Sequence, residues 1–436
     1  MTRKTFKPST GYYRVVRDKE FITKVDTVLH QHSGTGVERM EIRFWLRSRH
    51  ADHIDRWVNF VIASKTKEFV LNLADCSKSI FFIRLAHGNG IVSREPYNLP
   101  SQLFSPNNGL YLRCLELRTV SLQLPSDFKG FLNLKSLTLV DVSITDEDVQ
   151  CMLSKCKLLE FIEIAYCRMV TSIRMLHPLD LLKHLVVDIC PKLQEIELNC
   201  SPTTLKYTGA MVPLIFASTS RLTNISVVFL ICQSALSYIT TGFPSTSPRL
   251  ETLTLFCYEP ERTIVPEVPF KFTYLRNLRL ELVLSTYTHE VRKSDVLDYA
   301  YLLKIAPFME TLELSMWMTC WHQPYCKEDG ELRIGLPHQH THLKSVRISG
   351  FIGHKDQVEL ALHILRSSIR LEKMEITPKL EISNNLALQD CCYEKKQYVD
   401  GHRVAIEFVC KADHRNVVNV VRVPSSWEPG KTAMEA

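Results

Sequence analysis

The chain has 436 residues, 45% of them hydrophobic and 23% charged, and its 53 basic against 47 acidic residues leave a formal charge of +6. That length exceeds what one hydrophobic core usually supports, so it implies two domains or one long repeat array. The charge lacks the basic stripe that nucleic-acid binding requires, and the longest apolar stretch, near Leu222, is broken by Asn224 and Gln233. Neither nucleic acid nor membrane is therefore expected as a partner.

Residues 1–20, basic and polar with Pro8, Ser9 and Gly11, read as a flexible lead-in without the apolar core of a signal peptide. The fourteen cysteines are accordingly expected as reduced thiols, with Cys114, Cys167, Cys200 and Cys257 packed in or just after strands. Phe21, Ile22, Val25, Val28 and Leu29 recur at helical spacing before a turn at Gly34 and Gly36. Met40, Ile42, Phe44 and Leu46 alternate as a strand; Ile54, Trp57, Val58, Val61 and Ile62 fit one helix face; Phe69, Leu71 and Leu73 return to strand period. Residues 21–109 thus read as an irregular N-terminal cap.

From residue 110 one pattern takes over: an aliphatic residue, two positions, a second aliphatic, one position and a third. Eleven such segments begin at Leu112, Leu134, Leu159, Leu182, Leu193, Leu222, Leu250, Leu275, Met309, Leu343 and Leu371. The last two aliphatics of each alternate with polar residues, as in a strand with one buried face. No such strand can bury its apolar side alone, but a stack of them can. The expected fold is an α/β leucine-rich-repeat solenoid, a parallel sheet inside with helices and loops outside. The short interval from Leu182 to Leu193 leaves room only for a strand and a tight return, whereas longer intervals admit an outer helix.

Two outer helices are predicted. Thr145 stands before Asp146, Glu147 and Asp148 in capping-box spacing, opening a helix to about Ser154 that buries Val149, Met152 and Leu153. A second spans Lys355 to Ser367, with Val358, Ala361, Leu362 and Leu365 on its buried face. Pro260, Pro266 and Pro269 mark one long loop, and Trp317 to Pro337 another. Beyond Pro378, Asp400–Gly401 looks like a turn. Val404, Ala405, Phe408 and Val409 suit a helix, and Val417 to Val423 a strand, with a strand pair as the alternative. The array is bounded as 110–340, terminal repeats as 341–380, and a C-terminal cap and tail as 381–436.

Motifs of catalysis are missing from the sequence: it has no phosphate-binding loop, zinc-protease helix or nucleophile elbow, and His87-Gly88-Asn89-Gly90 lacks dinucleotide spacing. His338, His340 and His342 alternate ahead of the Leu343 strand as candidate zinc ligands, but want a fourth ligand; solvated loop histidines are the simpler reading. Cys320, His322 and Cys326 form a looser cluster, and Cys391–Cys392 reflects composition. No catalytic residue, metal or cofactor is expected, and the chain reads as a non-enzyme. Recognition is left to the positions between the aliphatics, which point out of the sheet. Phe161, Val186 and the neighbouring His184 stand out there as partner-binding candidates. So do Arg276, Arg279, Lys344 and Arg347, which would converge on an anionic ligand if the solenoid held one.

PSDFKGFLNLKSLTLVDVSITDEDVQCMLSKCKLLEFIEIAYC and HLKSVRISGFIGHKDQVELALHILRSSIRLEKMEITP resemble plant F-box/leucine-rich-repeat proteins, the second stretch resembling their FBD-type terminal region. HIDRWVNFVIASKTKEFVLNL resembles the segment just after the F-box, and GHRVAIEFVCKADHRNVVNVVRV the ending of grass members. The resemblance implies a non-enzymatic, protein-binding part of an SCF-type ubiquitin ligase subunit in the cytoplasm or nucleus, its target unknown. In that family a helical, Leu- and Pro-rich F-box docks the adaptor Skp1. MTRKTFKPSTGYYRVVRDKE has neither its length nor its pattern, so Skp1 binding is not expected of these residues. An F-box-less scaffold, a competitor of full-length relatives and a small-molecule-dependent receptor are the alternatives.

Overall fold

The computed structural model describes residues 11–32, 36–74, 95–105, 110–200, 202–216, 221–231, 249–258, 271–284, 294–318, 321–333, 338–381 and 394–422. It divides into two units, Met1–Cys200 and Ser201–Ala436. The first contains α1 (Gly11–Gln31), β1 (Arg39–Arg43), α2 (Ala51–Ala63), β2 (Glu68–Asn72), β3 (Cys114–Arg118), β4 (Ser136–Val140), α3 (Asp146–Lys155), β5 (Phe161–Ala165) and β6 (His184–Asp188). These six strands form one ladder, pairing in sequence order and all parallel. The second contains β7 (Thr204–Ala210), β8 (Asn224–Ile231), β9 (Thr252–Tyr258), β10 (Asn277–Leu284), α4 (Tyr301–Ile305), β11 (Thr311–Met318), β12 (Ser345–Ser349), α5 (Lys355–Ser367), β13 (Lys373–Thr377), α6 (Lys395–Val404) and β14 (Val418–Val420). These eight strands also pair in order and in parallel.

Every aliphatic residue of the eleven segments is buried. Strand register explains why. Leu115 lies opposite Leu137, and Leu137 opposite Ile162; in the second unit Leu253 lies opposite Leu278 and Leu278 opposite Leu312. Alternation sends these side chains to one face, and each coil covers the next. Burying each stabilises the fold by roughly 1.5–3 kcal/mol. The leucine-rich-repeat solenoid is therefore the fold of this chain.

The Leu193 segment departs from expectation. Its strand, Glu195–Leu198, pairs with Ser172–Met175 outside the main ladder, because the short interval supplies too little chain for a whole coil. The first ladder strand of the second unit is β7, where Pro202, Leu205 and Tyr207 are buried. Proline and tyrosine at two aliphatic sites hide this strand from the pattern.

After each of four successive first-unit strands the chain turns through a left-handed residue, at Thr119, Asp141, Tyr166 and Ile189. None is glycine, and such a conformation strains an L side chain. The thiol contacts just past two of these turns repeat as well. The Cys167 thiol donates to Leu139 O of the preceding coil at 3.7 Å, and the Cys190 thiol to Ile164 O at 3.8 Å. Cys167, Cys200 and Cys257 are buried, as expected of small apolar thiols, while Cys114 is half-buried. Cys391 and Cys392 lie outside the described residues.

At the N-terminus the helix begins at Gly11, ahead of the boundary expected at residue 21. Asp18 ties it down, accepting from Arg49 at 2.6 Å, and Phe21 stacks on Phe44 at 4.1 Å. Trp57 of α2 donates to Asp26 of α1 at 2.7 Å. Gly34, the proline loop around Pro266 and Cys320 lie outside the described residues.

Helix α3 starts as its capping sequence predicts, with the Thr145 hydroxyl accepting from the Asp148 amide at 3.2 Å and Val149, Met152 and Leu153 buried. Helix α5 has the expected bounds but is buried on more than its apolar face. Arg333 donates to Glu359 through Nε at 2.7 Å and through its backbone N–H at 2.8 Å, and Val296 N–H donates to Asp356 at 2.8 Å. The buried Gln357 fixes the entry loop. Its Oε1 accepts from the amides of Ile352, Gly353 and His354 at 3.0, 3.1 and 3.3 Å, while its Nε2 donates to Gly350 O at 3.0 Å.

Asp400–Gly401 is helical, inside α6, and not a turn. A Cβ on Gly401 would sit 2.1 Å from Phe351 O, so the glycine allows close helix–backbone approach. Helical residues continue through Val409 before β14, which favours the helix–strand alternative for the tail.

The three alternating histidines are neither clustered ligands nor solvated. His338 Nε2 donates to Leu303 O at 3.1 Å, His340 Nε2 to Ala306 O at 2.9 Å and His342 Nδ1 to Pro307 O at 3.1 Å. Together they cap the carbonyls at the end of α4. His340 Nδ1 also accepts from Leu343 N–H at 3.0 Å. Of the looser cluster, His322 pairs with Asp400 at 3.0 Å and the Cys326 thiol donates to Asp329 at 3.1 Å. Burial pushes His340 and His363 below the ordinary histidine value of 6.5.

Leu137→Ala or Leu253→Ala is expected to lower unfolding free energy by about 2–5 kcal/mol, read from urea titration; an unshifted midpoint contradicts the shared core. Gln357→Leu strands three buried amides, each worth about 1–3 kcal/mol, so it should cost about 3 kcal/mol or more in the same assay. The stability held by neutral His340 and His363 is whole above pH 6.5 and declines as pH falls through that value towards their lower folded pKa values. His340→Gln should therefore flatten the stability–pH curve on the acid side of that value; a curve as steep as the parent's would refute the assignment.

Candidate binding surface

The outward face of each ladder is a register of cross-strand rows. In the first unit, Phe161 lies directly opposite His184, and Glu163 opposite Val186. Phe161 and Val186 are half-buried and His184 is exposed. The sheet thus brings these three predicted residues together around Glu163, whose carboxyl burial pushes above its usual value. Toward the N-terminal strands, Arg118 donates to Glu116 at 2.6 Å and Arg43 lies 3.6 Å from the same carboxylate.

The four predicted basic residues of the second unit do not converge on one point. Arg279 and Arg347 occupy the central row, with Glu313 between them in register. Arg279 pairs with Glu281 at 2.8 Å and Glu313 at 3.2 Å; Arg347 pairs with Glu375 at 2.7 Å and Glu381 at 3.2 Å. Arg276 and Lys344 instead sit one residue ahead of their strands, at the edge, and share Glu310 at 3.5 and 2.8 Å. Lys344, then Arg276, hold the Glu310 carboxyl below its ordinary value. An equivalent arrangement stands in the first unit, where Lys135 and Lys183 each reach Glu160 at 2.7 Å and hold it near a pKa of about 2.

Part of the second unit's outward face is closed. Val228, Phe256 and Val283 are buried there, with Leu230 and Trp317 packed against them, and Glu281, Ser315, Ser349 and Thr377 continue the row of Val228 and Phe256 as buried polar groups. Motif-based reasoning missed this second apolar cluster. Its signal lies in the apolar runs VVFLI, LFCY and LSMWM, which continue past the alternating motif as strands buried on both faces do. Among the described residues no helix is long and apolar enough to cross a membrane.

Between residues 28 and 422 the sequence matches the family described as At1g61320/AtMIF1, LRR domain. It is 25% identical over 403 residues to FBD-associated F-box protein At1g61320 of Arabidopsis thaliana, across 87% of this chain and 81% of that protein. It is 24% identical over 401 residues to F-box/FBD/LRR-repeat protein At1g13570 of the same plant, across 88% and 82%. The sequence resemblance and the parallel ladder agree: this chain belongs to the At1g61320/AtMIF1 leucine-rich-repeat domain family.

Proposed function

We propose that the chain is a non-enzymatic recognition module, the target-binding part of an SCF-type ubiquitin ligase subunit, acting in the cytoplasm or nucleus. The observation that carries this reading is the division of labour along the ladder. Aliphatic positions are consumed by coil-to-coil packing, while charged side chains on the outward rows pair with one another across strands. Such a surface suits an extended protein contact rather than a reaction centre. A receptor for a small anion is less favoured, because Arg276, Arg279, Lys344 and Arg347 already engage carboxylates. The family relatives, named as F-box proteins, point the same way.

The test compares the native chain with the same chain bearing a grafted F-box, both used as bait with purified Skp1 in plant extract. The grafted chain should capture Skp1 and promote ubiquitination of proteins that the native chain also binds. Disjoint sets of bound proteins, or none above a core-disrupted control, would count against recognition by the solenoid.

A further inference from the structure

We propose that the edge where the chain enters the strands of the first unit, rather than the open sheet face, receives an acidic polypeptide segment punctuated by apolar side chains. This rests on the recognition reading above and assigns the chemistry of the partner. Two bases flanking one acid occur in each unit, but only the first unit's edge carries a surplus of positive charge. In the first, Lys135, Glu160 and Lys183 immediately precede β4, β5 and β6, and backbone bonds from Glu160 N to Lys135 O (2.7 Å) and Lys183 N to Glu160 O (2.8 Å) hold them in adjacent coils. Two ammonium groups share one carboxylate, leaving a net positive charge at the edge. Beside them Leu132 is 58% exposed and Leu181 47%.

In the second unit, Arg276, Glu310 and Lys344 precede β10, β11 and β12 and are bonded in the same way, Glu310 N to Arg276 O at 2.8 Å and Lys344 N to Glu310 O at 2.9 Å. Here too two cations share one acid, but Glu251 and Glu372 continue the row on either side, through Arg276 N to Glu251 O and Glu372 N to Lys344 O (both 2.8 Å), so acids outnumber bases. Tyr274 is 52% exposed and Phe308 37%. The Arg276 guanidinium lies 5.7 Å from the Phe308 ring centroid and donates to Phe308 O at 3.2 Å, so cation and aromatic form one platform. In the first unit, Lys67 and Arg113 extend the row through Arg113 N to Lys67 O (2.7 Å) and Lys135 N to Arg113 O (2.8 Å). Exposed apolar side chains beside that surplus of positive charge complement an acidic, apolar-punctuated chain and repel a basic one. On the sheet face, by contrast, Arg279 and Arg347 are each matched by two carboxylates.

The experiment is selection of a displayed random dodecapeptide library on the intact chain, with affinity then measured for the enriched peptides. Peptides alternating Asp or Glu with Leu or Phe should be enriched. Their binding should weaken about tenfold with Lys135→Glu/Lys183→Glu, less with Lys135→Gln/Lys183→Gln, about tenfold with Leu132→Ser/Leu181→Ser, and not at all with Phe308→Ser. Lys206→Glu, on the exposed sheet face, should leave it unchanged, and circular dichroism melting verifies that each variant is folded. A basic or neutral consensus overturns the edge assignment but leaves recognition standing. So does an acidic consensus sensitive only to Lys206→Glu, or equal competition by a single-stranded oligonucleotide. Enrichment of no peptide class counts against both.

Discussion

Each coil of this chain has a greasy side that only its neighbour can cover, and that dependence governs everything else. A strand such as Cys114–Arg118 presents two leucines to the interior, too little apolar area to offset the entropy of ordering a coil. Stacked in register, Leu115, Leu137, Ile162 and Leu185 form one continuous layer. Stability is then a property of contacts between neighbours, so loops between coils tolerate wide variation in length while the aliphatic positions do not.

Where coils become irregular, polar satisfaction replaces apolar periodicity as the organising force. Helix α5 buries Asp356, Gln357 and Glu359, groups whose desolvation is costly without partners. Arg333, the Val296 amide and the loop amides of Ile352, Gly353 and His354 supply those partners. Three histidines do the same for carbonyls at the end of α4. The segments joining β10 to β13 are consequently held by specific bonds that tolerate few substitutions.

This contrast explains what was legible in the sequence. Leu, Ile and Val recurring at fixed offsets, and Thr145 ahead of three acids, are local signals, and they gave ladder and helix boundaries directly. His338, His340 and His342 carry no local mark of their partners, which lie more than thirty residues upstream at Leu303, Ala306 and Pro307. Gly401 likewise looks like a turn until Phe351 O is found against it. On the candidate surface, sequence alternation sent Phe161, His184 and Val186 outward, while strand register set Phe161 opposite His184. Alternation also set Arg276 and Lys344 among convergent bases, because the carboxylate of Glu310 between them belongs to another coil.

Sharing one acid between two bases imposes a parity on the stack. Excising the coil that carries Glu160 would set Lys135 against Lys183, and losing Glu310 would set Arg276 against Lys344. Repeat proteins drift readily in copy number because identical modules are interchangeable. From β9 to β13 the coils alternate in sign at their entry edge, through Glu251, Arg276, Glu310, Lys344 and Glu372, so gain or loss of a single coil there meets like-charge repulsion, whereas removal of a pair preserves the alternation.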